Sequence, residues 1–193
     1  RCFEQIKMDI CHARLPVTIV GNGSSLTYAL HGTSHQAIED VAMMNTLPNL
    51  TILHPSDNYS SRQAINYAYR SQLPVYIKLD KGFFPDLNIN SKQLKEGFYE
   101  HVKVLGRGNK LCFITTGTII HNIKLILEKL STHDIYGSLF ELYKIKPLNK
   151  SLIIKTLLKF NYVITVEEQH INGGIGSLIA EIISEYNIRI NFK

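Results

Sequence analysis

Short β-branched runs alternating with amphipathic stretches constrain this chain more than any other feature of it. Residues 16–21 (Pro-Val-Thr-Ile-Val-Gly) read as a buried strand, residues 50–53 as a second and residues 75–79 as a third. The stretches between them carry helix signals. Thr33 and Gln36 are spaced for a capping box, opening a helix that runs to about Asn45, short of Pro48. Asp57 is placed to cap a helix ending near Ser71. Such repetition predicts an α/β fold with a largely parallel sheet, since parallel neighbours need a crossover long enough to hold a helix.

The character changes after residue 80. Gly82, Pro85, Asp86, Asn88 and Asn90 break any periodicity, and residues 80–97 read as a crossover between two units. Strands are expected at 98–105 and 111–115, flanking a hairpin turn at Gly106-Arg-Gly-Asn109. Ile119, Ile120, Ile123, Ile126, Leu127 and Leu130 are spaced for one buried helix face. A strand at 136–142, a helix at 149–160 and a strand at 162–166 follow. Gly173-Gly174-Ile175-Gly176 then turns the chain into a last helix through about Glu185, and 188–192 reads as a closing strand. The expectation is two three-layer α/β/α units, residues 1–90 and 91–193.

Composition narrows the function. Apolar residues make up 45% of the 193, enough for a buried core. The net charge of +5 comes from scattered Lys and Arg without a run of like charge, which reads as a solvated surface and not a nucleic-acid stripe. Cys2, Cys11 and Cys112 are odd in number and form no Cys-x-x-Cys pair. Neither a disulfide framework nor a zinc site is expected, and a reducing, cytoplasmic setting is. No signal segment and no membrane-length apolar run is present, so a membrane is not an expected partner. Gly21-Asn-Gly23-Ser-Ser-Leu26 lacks the third glycine of a dinucleotide loop, and no Walker loop occurs. An opening Arg1 in place of Met reads as a fragment or a processed chain.

Several motifs then fall into an ordered series. Leu15-Pro-Val-Thr-Ile-Val-Gly21 comes first, followed by Gly32-Thr-Ser-His-Gln-Ala-Ile-Glu-Asp40 and Leu47-Pro-Asn-Leu-Thr-Ile-Leu-His-Pro-Ser-Asp57. Thr115-Thr-Gly-Thr118, Ile145-Lys-Pro-Leu148 and Thr165-Val-Glu-Glu-Gln-His-Ile-Asn-Gly-Gly-Ile-Gly176 lie in the second half. In order and spacing the series resembles the C-terminal half of the transketolase family, over nearly the whole chain. The family's usual middle motif is Gly-Pro-Thr-His-Gln-x-x-Glu. Here Thr33 stands for the proline and Ser34 for the threonine.

That resemblance implies a pyrimidine-binding domain lacking its N-terminal part (1–90) and a transketolase C-terminal domain (91–193). It implies thiamine diphosphate as cofactor, bound between two domains and usually across a dimer interface. The diphosphate, with its Mg2+ or Ca2+, would be held by a domain or subunit outside this chain. The glutamate that meets the aminopyrimidine ring would precede Arg1. The expected function is therefore one component of a transferase moving a two-carbon ketol unit between sugars or sugar phosphates. It would be inactive as an isolated chain and would work in a homo- or hetero-oligomer with an N-terminal transketolase subunit or segment. Gly32 to Asp40 reads closest to stand-alone C-terminal subunits. A 1-deoxy-D-xylulose-5-phosphate synthase fragment and a 2-oxo acid dehydrogenase E1 beta-type component share the domain order. A non-catalytic scaffold partner is the alternative of another class.

The resemblance also assigns roles. His35 falls where the family places a histidine facing the reacting carbon, which makes it the catalytic and cofactor-binding candidate. A first-turn position on the expected helix would disfavour its imidazolium form. Gly32 is the second cofactor-binding candidate, since a glycine lets backbone approach a ligand closely; a plain turn glycine is the other reading. Lys81 falls where many relatives carry an arginine for a substrate phosphate, and it supplies the charge without the planar fork. His31 replaces an acidic residue and reads as a substrate contact or an exposed loop histidine. Gly23 replaces a family histidine, and both departures bear on recognition of sugar-phosphate donors. His31, His35 and Glu39 have i, i+4 spacing, but Gly32 and Thr33 keep His31 out of the helix, so no metal site is assigned. Glu167, Glu168 and His170 are read as structural.

Overall fold

A computed structural model describes residues 2–104 and 111–193. An α-helical turn, α1 (Phe3–Gln5), runs into a π-helical stretch, Ile6–His12, and seats Cys11 in the core. Then follow β1 (Thr18–Asn22), α2 (Asp40–Asn45), β2 (Thr51–Leu53), α3 (Asn58–Arg70), β3 (Val75–Leu79), α4 (Ser91–Glu96) and β4 (Phe98–Val102). The second half holds β5 (Leu111–Thr115), α5 (Ile119–Ser131), β6 (Gly137–Leu142) and β7 (Lys144–Lys146). It closes with α6 (Lys150–Leu157), β8 (Tyr162–Val166), α7 (Ile175–Glu185) and β9 (Asn191–Phe192).

Two sheets result, each dominated by parallel pairs. The first has the order β1-β3-β2-β7, with β7 antiparallel to β2. The second has the order β4-β6-β5-β8-β9, with β4 antiparallel to β6. One apolar cluster joins them: Val41, Ile52 and Tyr76 from the first half pack with Cys112, Phe140, Ile153 and Ile175 from the second. Fully burying each such branched or aromatic side chain contributes about 1.5–3 kcal/mol.

Local chemistry explains where the helices begin. Asp57 accepts from the Ser60 amide at 2.7 Å, while the Ser60 hydroxyl accepts from the Asp57 amide at 3.1 Å, a reciprocal cap for α3. The second Asp57 oxygen takes the Leu87 amide at 2.7 Å and so pins the crossover to the same helix end. In α5, Ile120, Ile123 and Leu127 are buried, in line with the helical spacing; Ile126 is exposed.

Four expectations need correction. The helix expected from Thr33 opens only at Asp40, because residues 33–35 form a separate 3-10 turn and Gln36 is extended (φ −92°, ψ 112°). The 80–97 crossover contains α4, capped reciprocally by Asn90 and Gln93. β4 and β5 do not pair as a hairpin, since β6 lies between them; the turn itself, Gly106-Arg-Gly-Asn109, lies outside the described residues. β1 is an edge strand with alternating exposure rather than a buried strand, because β3 flanks it on one side only among the described residues. β7 leaves the second half to pair with β2 in the first sheet.

Candidate active site

The predicted site residues gather at the carboxyl ends of β1 and β3, where open α/β sheets place ligands. The amides of Gly23 and Ser24 donate to the Leu79 carbonyl at 2.9 and 3.0 Å, which ties the loop after β1 to the end of β3. Ser25 and Ala37 then exchange backbone bonds at 3.2 and 3.1 Å, so residues 26–36 form a loop with a closed neck. Within it lie two 3-10 turns, Ala29–His31 and Thr33–His35. Gly32 joins them at φ 83°, a conformation that costs a glycine little, and no atom lies within 4 Å of where its Cβ would be.

The side chains form a line along this loop. The Lys81 ammonium lies 5.2 Å from the centre of the Tyr28 ring. Tyr28 lies 5.9 Å from the His31 ring, and His31 lies 5.4 Å from that of His35. His31, Gly32, His35 and Lys81 are all exposed. Ser34 Oγ lies 3.1 Å from His35 Nδ1, and among the described residues Nε2 has no hydrogen-bond partner. Four residues singled out by sequence are thus brought together. No helix dipole acts on His35 as expected, since the helix starts five residues later. Leu26 and Leu30 on the same loop are exposed, as is Val20 on β1.

Sequence reasoning missed Tyr28, which is the bridge between Lys81 and His31. The available signal was a lone aromatic residue between a strand end and the motif glycine. It also missed Asp80, which accepts from Thr27 at 3.1 Å and from the Thr118 hydroxyl of the second half. A carboxylate directly after β3 was the cue.

Beneath the loop lies a buried polar seam. The Lys78 side chain is 1% exposed and its ammonium donates to Asp40 Oδ1 at 2.5 Å, Ala37 O at 2.7 Å and Gln169 Oε1 at 3.2 Å. Burial pulls its pKa down, against the opposing pull of Asp40. The Tyr76 hydroxyl donates to Asp40 Oδ2 at 2.5 Å, and burial with that carboxylate pushes the phenol up. The Gln169 amide donates to Ser25 Oγ at 2.9 Å. Buried His54 spans the two halves, with Nε2 3.4 Å from Ser24 Oγ and Nδ1 3.2 Å from Thr116 Oγ1. Burial holds it well below the usual histidine range, with Lys78 adding to the effect.

The acidic residues of the second half divide. Glu167 accepts the Ile175 and Gly176 amides, both at 2.7 Å, so it serves the first turn of α7. Glu168 is half-buried, pushed up by burial and by Asp80. His170 is exposed, and its backbone amide donates to Ile38 O at 2.8 Å. Among the described residues, no group of three or more His, Cys, Asp or Glu side chains is placed to hold a metal ion, and no helix is long and apolar enough to cross a membrane.

Comparisons with known proteins meet this geometry. Residues 1–85 match the family model described as "Transketolase, pyrimidine binding domain", and residues 100–192 match "Transketolase, C-terminal domain". The chain is 32% identical, over its full length and 61% of the relative's, to an apulose-4-phosphate transketolase subunit of Actinobacillus succinogenes. It is 29% identical, over its full length and 31% of the relative's, to 1-deoxy-D-xylulose-5-phosphate synthase of Clostridium botulinum. A solved split gene transketolase, described as an inactive beta4 tetramer, superposes with a TM-score of 0.83. That match is at 28% identity and covers all of this chain and 61% of the other. The chain thus spans less than two thirds of these relatives.

Proposed function

Because the chain belongs to the transketolase family, we propose that it is one component of a thiamine-diphosphate-dependent transferase that moves a two-carbon ketol unit between sugars. A partner segment or N-terminal subunit completes the site. The observation that carries this reading is the exposed line of Lys81, Tyr28, His31 and His35 beside an open Gly32.

The residues fit the cofactor. Space beside Gly32 and the exposure of His35 leave room for a ring covered from a second surface. When bound, thiamine diphosphate supplies an acidic ring carbon and an electron sink. The chain's own residues do the rest. His35 Nε2 exchanges a proton with a substrate oxygen while Ser34 holds Nδ1, and its N–H donates a hydrogen bond where alkoxide charge develops. Gly32 and His35 line the cofactor. His31 contacts substrate hydroxyls, and Lys81, backed by Tyr28, meets an anionic end.

Need for a partner is supported by the outer edge of β1, unpaired among the described residues, with Val20, Leu26 and Leu30 exposed around it. It is also supported by the split gene neighbour, whose beta-only assembly is described as inactive. The test is assembly with a candidate N-terminal subunit, followed by thiamine-diphosphate calorimetry and product analysis. Ketol transfer that falls about 10²–10⁴-fold in His35→Ala is expected. A complex that binds no thiamine diphosphate, or full activity in His35→Ala, overturns the reading. The match to a 1-deoxy-D-xylulose-5-phosphate synthase favours a second reading, with pyruvate as donor. Comparing pyruvate with ketose donors separates the two.

A further inference from the structure

We infer that Gln169, supplied by the loop after β8, is a positioning residue for the His35 loop, acting jointly with Lys78; this rests on the functional reading above. Residues 26–36 display most of their side chains to solvent and make few contacts of their own, so their placement has to be imposed at the neck. The neck consists of Ser25 and Ala37.

Gln169 reaches that neck from the far half of the chain. Its Nε2 donates to Ser25 Oγ at 2.9 Å and its Oε1 accepts from the Lys78 ammonium at 3.2 Å. The ammonium has donors only, so the amide is oriented unambiguously: oxygen to Lys78, nitrogen to Ser25. The same ammonium donates to Ala37 O at 2.7 Å, and that carbonyl already accepts the Ser25 amide. Gln169 and Lys78 therefore grip both strands of the neck. The His170 amide adds a backbone bond to Ile38 O at 2.8 Å, one residue beyond it.

Ser25 shows that the grip is used. It is a non-glycine residue at φ 55°, a conformation that persists where surroundings over-determine it. Its amide, carbonyl and hydroxyl are all engaged. Neither Lys78 nor Gln169 belongs to the exposed line, so both act through the loop and not on a substrate.

The test is amide hydrogen exchange of the full chain, with kinetics of the assembled complex. Gln169→Leu is expected to raise exchange across residues 24–37 about tenfold while β5 and α5 stay protected. Ser25→Ala removes the other end of the same bond and should give the same rise, and the double variant should add nothing. In the complex, Gln169→Leu should lower kcat about tenfold with KM nearly unchanged, and should lower it no further in a His35→Ala background. Unchanged loop exchange, a rise spread over the whole chain, or equal losses with and without His35 would overturn the positioning role. The exchange arm decides it even if the wild-type complex transfers no ketol unit, a result that sinks the functional reading alone.

Discussion

The exposed loop and the buried seam beneath it handle polar groups in opposite ways. On the loop and beside it, His31, His35 and nearby Lys81 are exposed with few partners, and Gly32 adjoins open space. In the seam, every donor of Lys78 is used, and buried His54 is wedged between two hydroxyls. Under the proposed function the contrast separates two tasks. Groups proposed to meet a substrate need access and freedom to exchange protons. Groups that hold them in place need low dielectric and complete satisfaction, because a partly satisfied buried network is costly.

That contrast is open to measurement. The largest stability effect should come from Lys78→Met, which leaves Asp40 facing an apolar side chain. A loss of about 3–5 kcal/mol by denaturant unfolding is expected, and a loss near zero would mean the seam is not the support described. His54 should show next, as a pH dependence. Its folded pKa lies well below its unfolded value, so the unfolded chain binds a proton first as pH falls through about 6.5. The stability is thus fully present above that pH and is lost below it, by up to about 1.4 kcal/mol per pH unit until the folded pKa is reached. His54→Gln should flatten that part of the stability profile relative to the wild type. Gly32→Ala should cost about 1 kcal/mol in thermal unfolding, from the φ of 83° alone, since nothing stands in the way of the methyl group. His35→Ala should change stability least, within about 0.5 kcal/mol, while abolishing most of the transfer proposed for the assembled complex. A large stability loss there would place His35 with the seam.

Much of this arrangement is legible in the residues alone. Asp57 announces its helix as a capping residue, and the α5 face announces itself through Ile120, Ile123 and Leu127. His31, Gly32, His35 and Lys81 are picked out by motif position and do lie together. Tyr28 is not, because an aromatic residue in a loop has no meaning until its neighbours are known. The helix start at Thr33 misleads for a related reason. Thr33 and Gln36 fit a capping box locally, but Ala37 is drawn into bonds with Ser25 and Lys78, and the backbone turns helical only beyond it.

Periodicity and capping chemistry act over a few residues, so the sequence by itself determined the α/β class, most strand and helix positions and the identity of the motif loop. Strand partners and buried charges answer to residues far away along the chain. Only the tertiary structure decided that β7 crosses to the first sheet, that β6 separates β4 from β5, and that Lys78 meets Gln169 across 91 positions. The physical reason is that burying an ammonium is tolerable only where several acceptors converge, and no local pattern records that convergence.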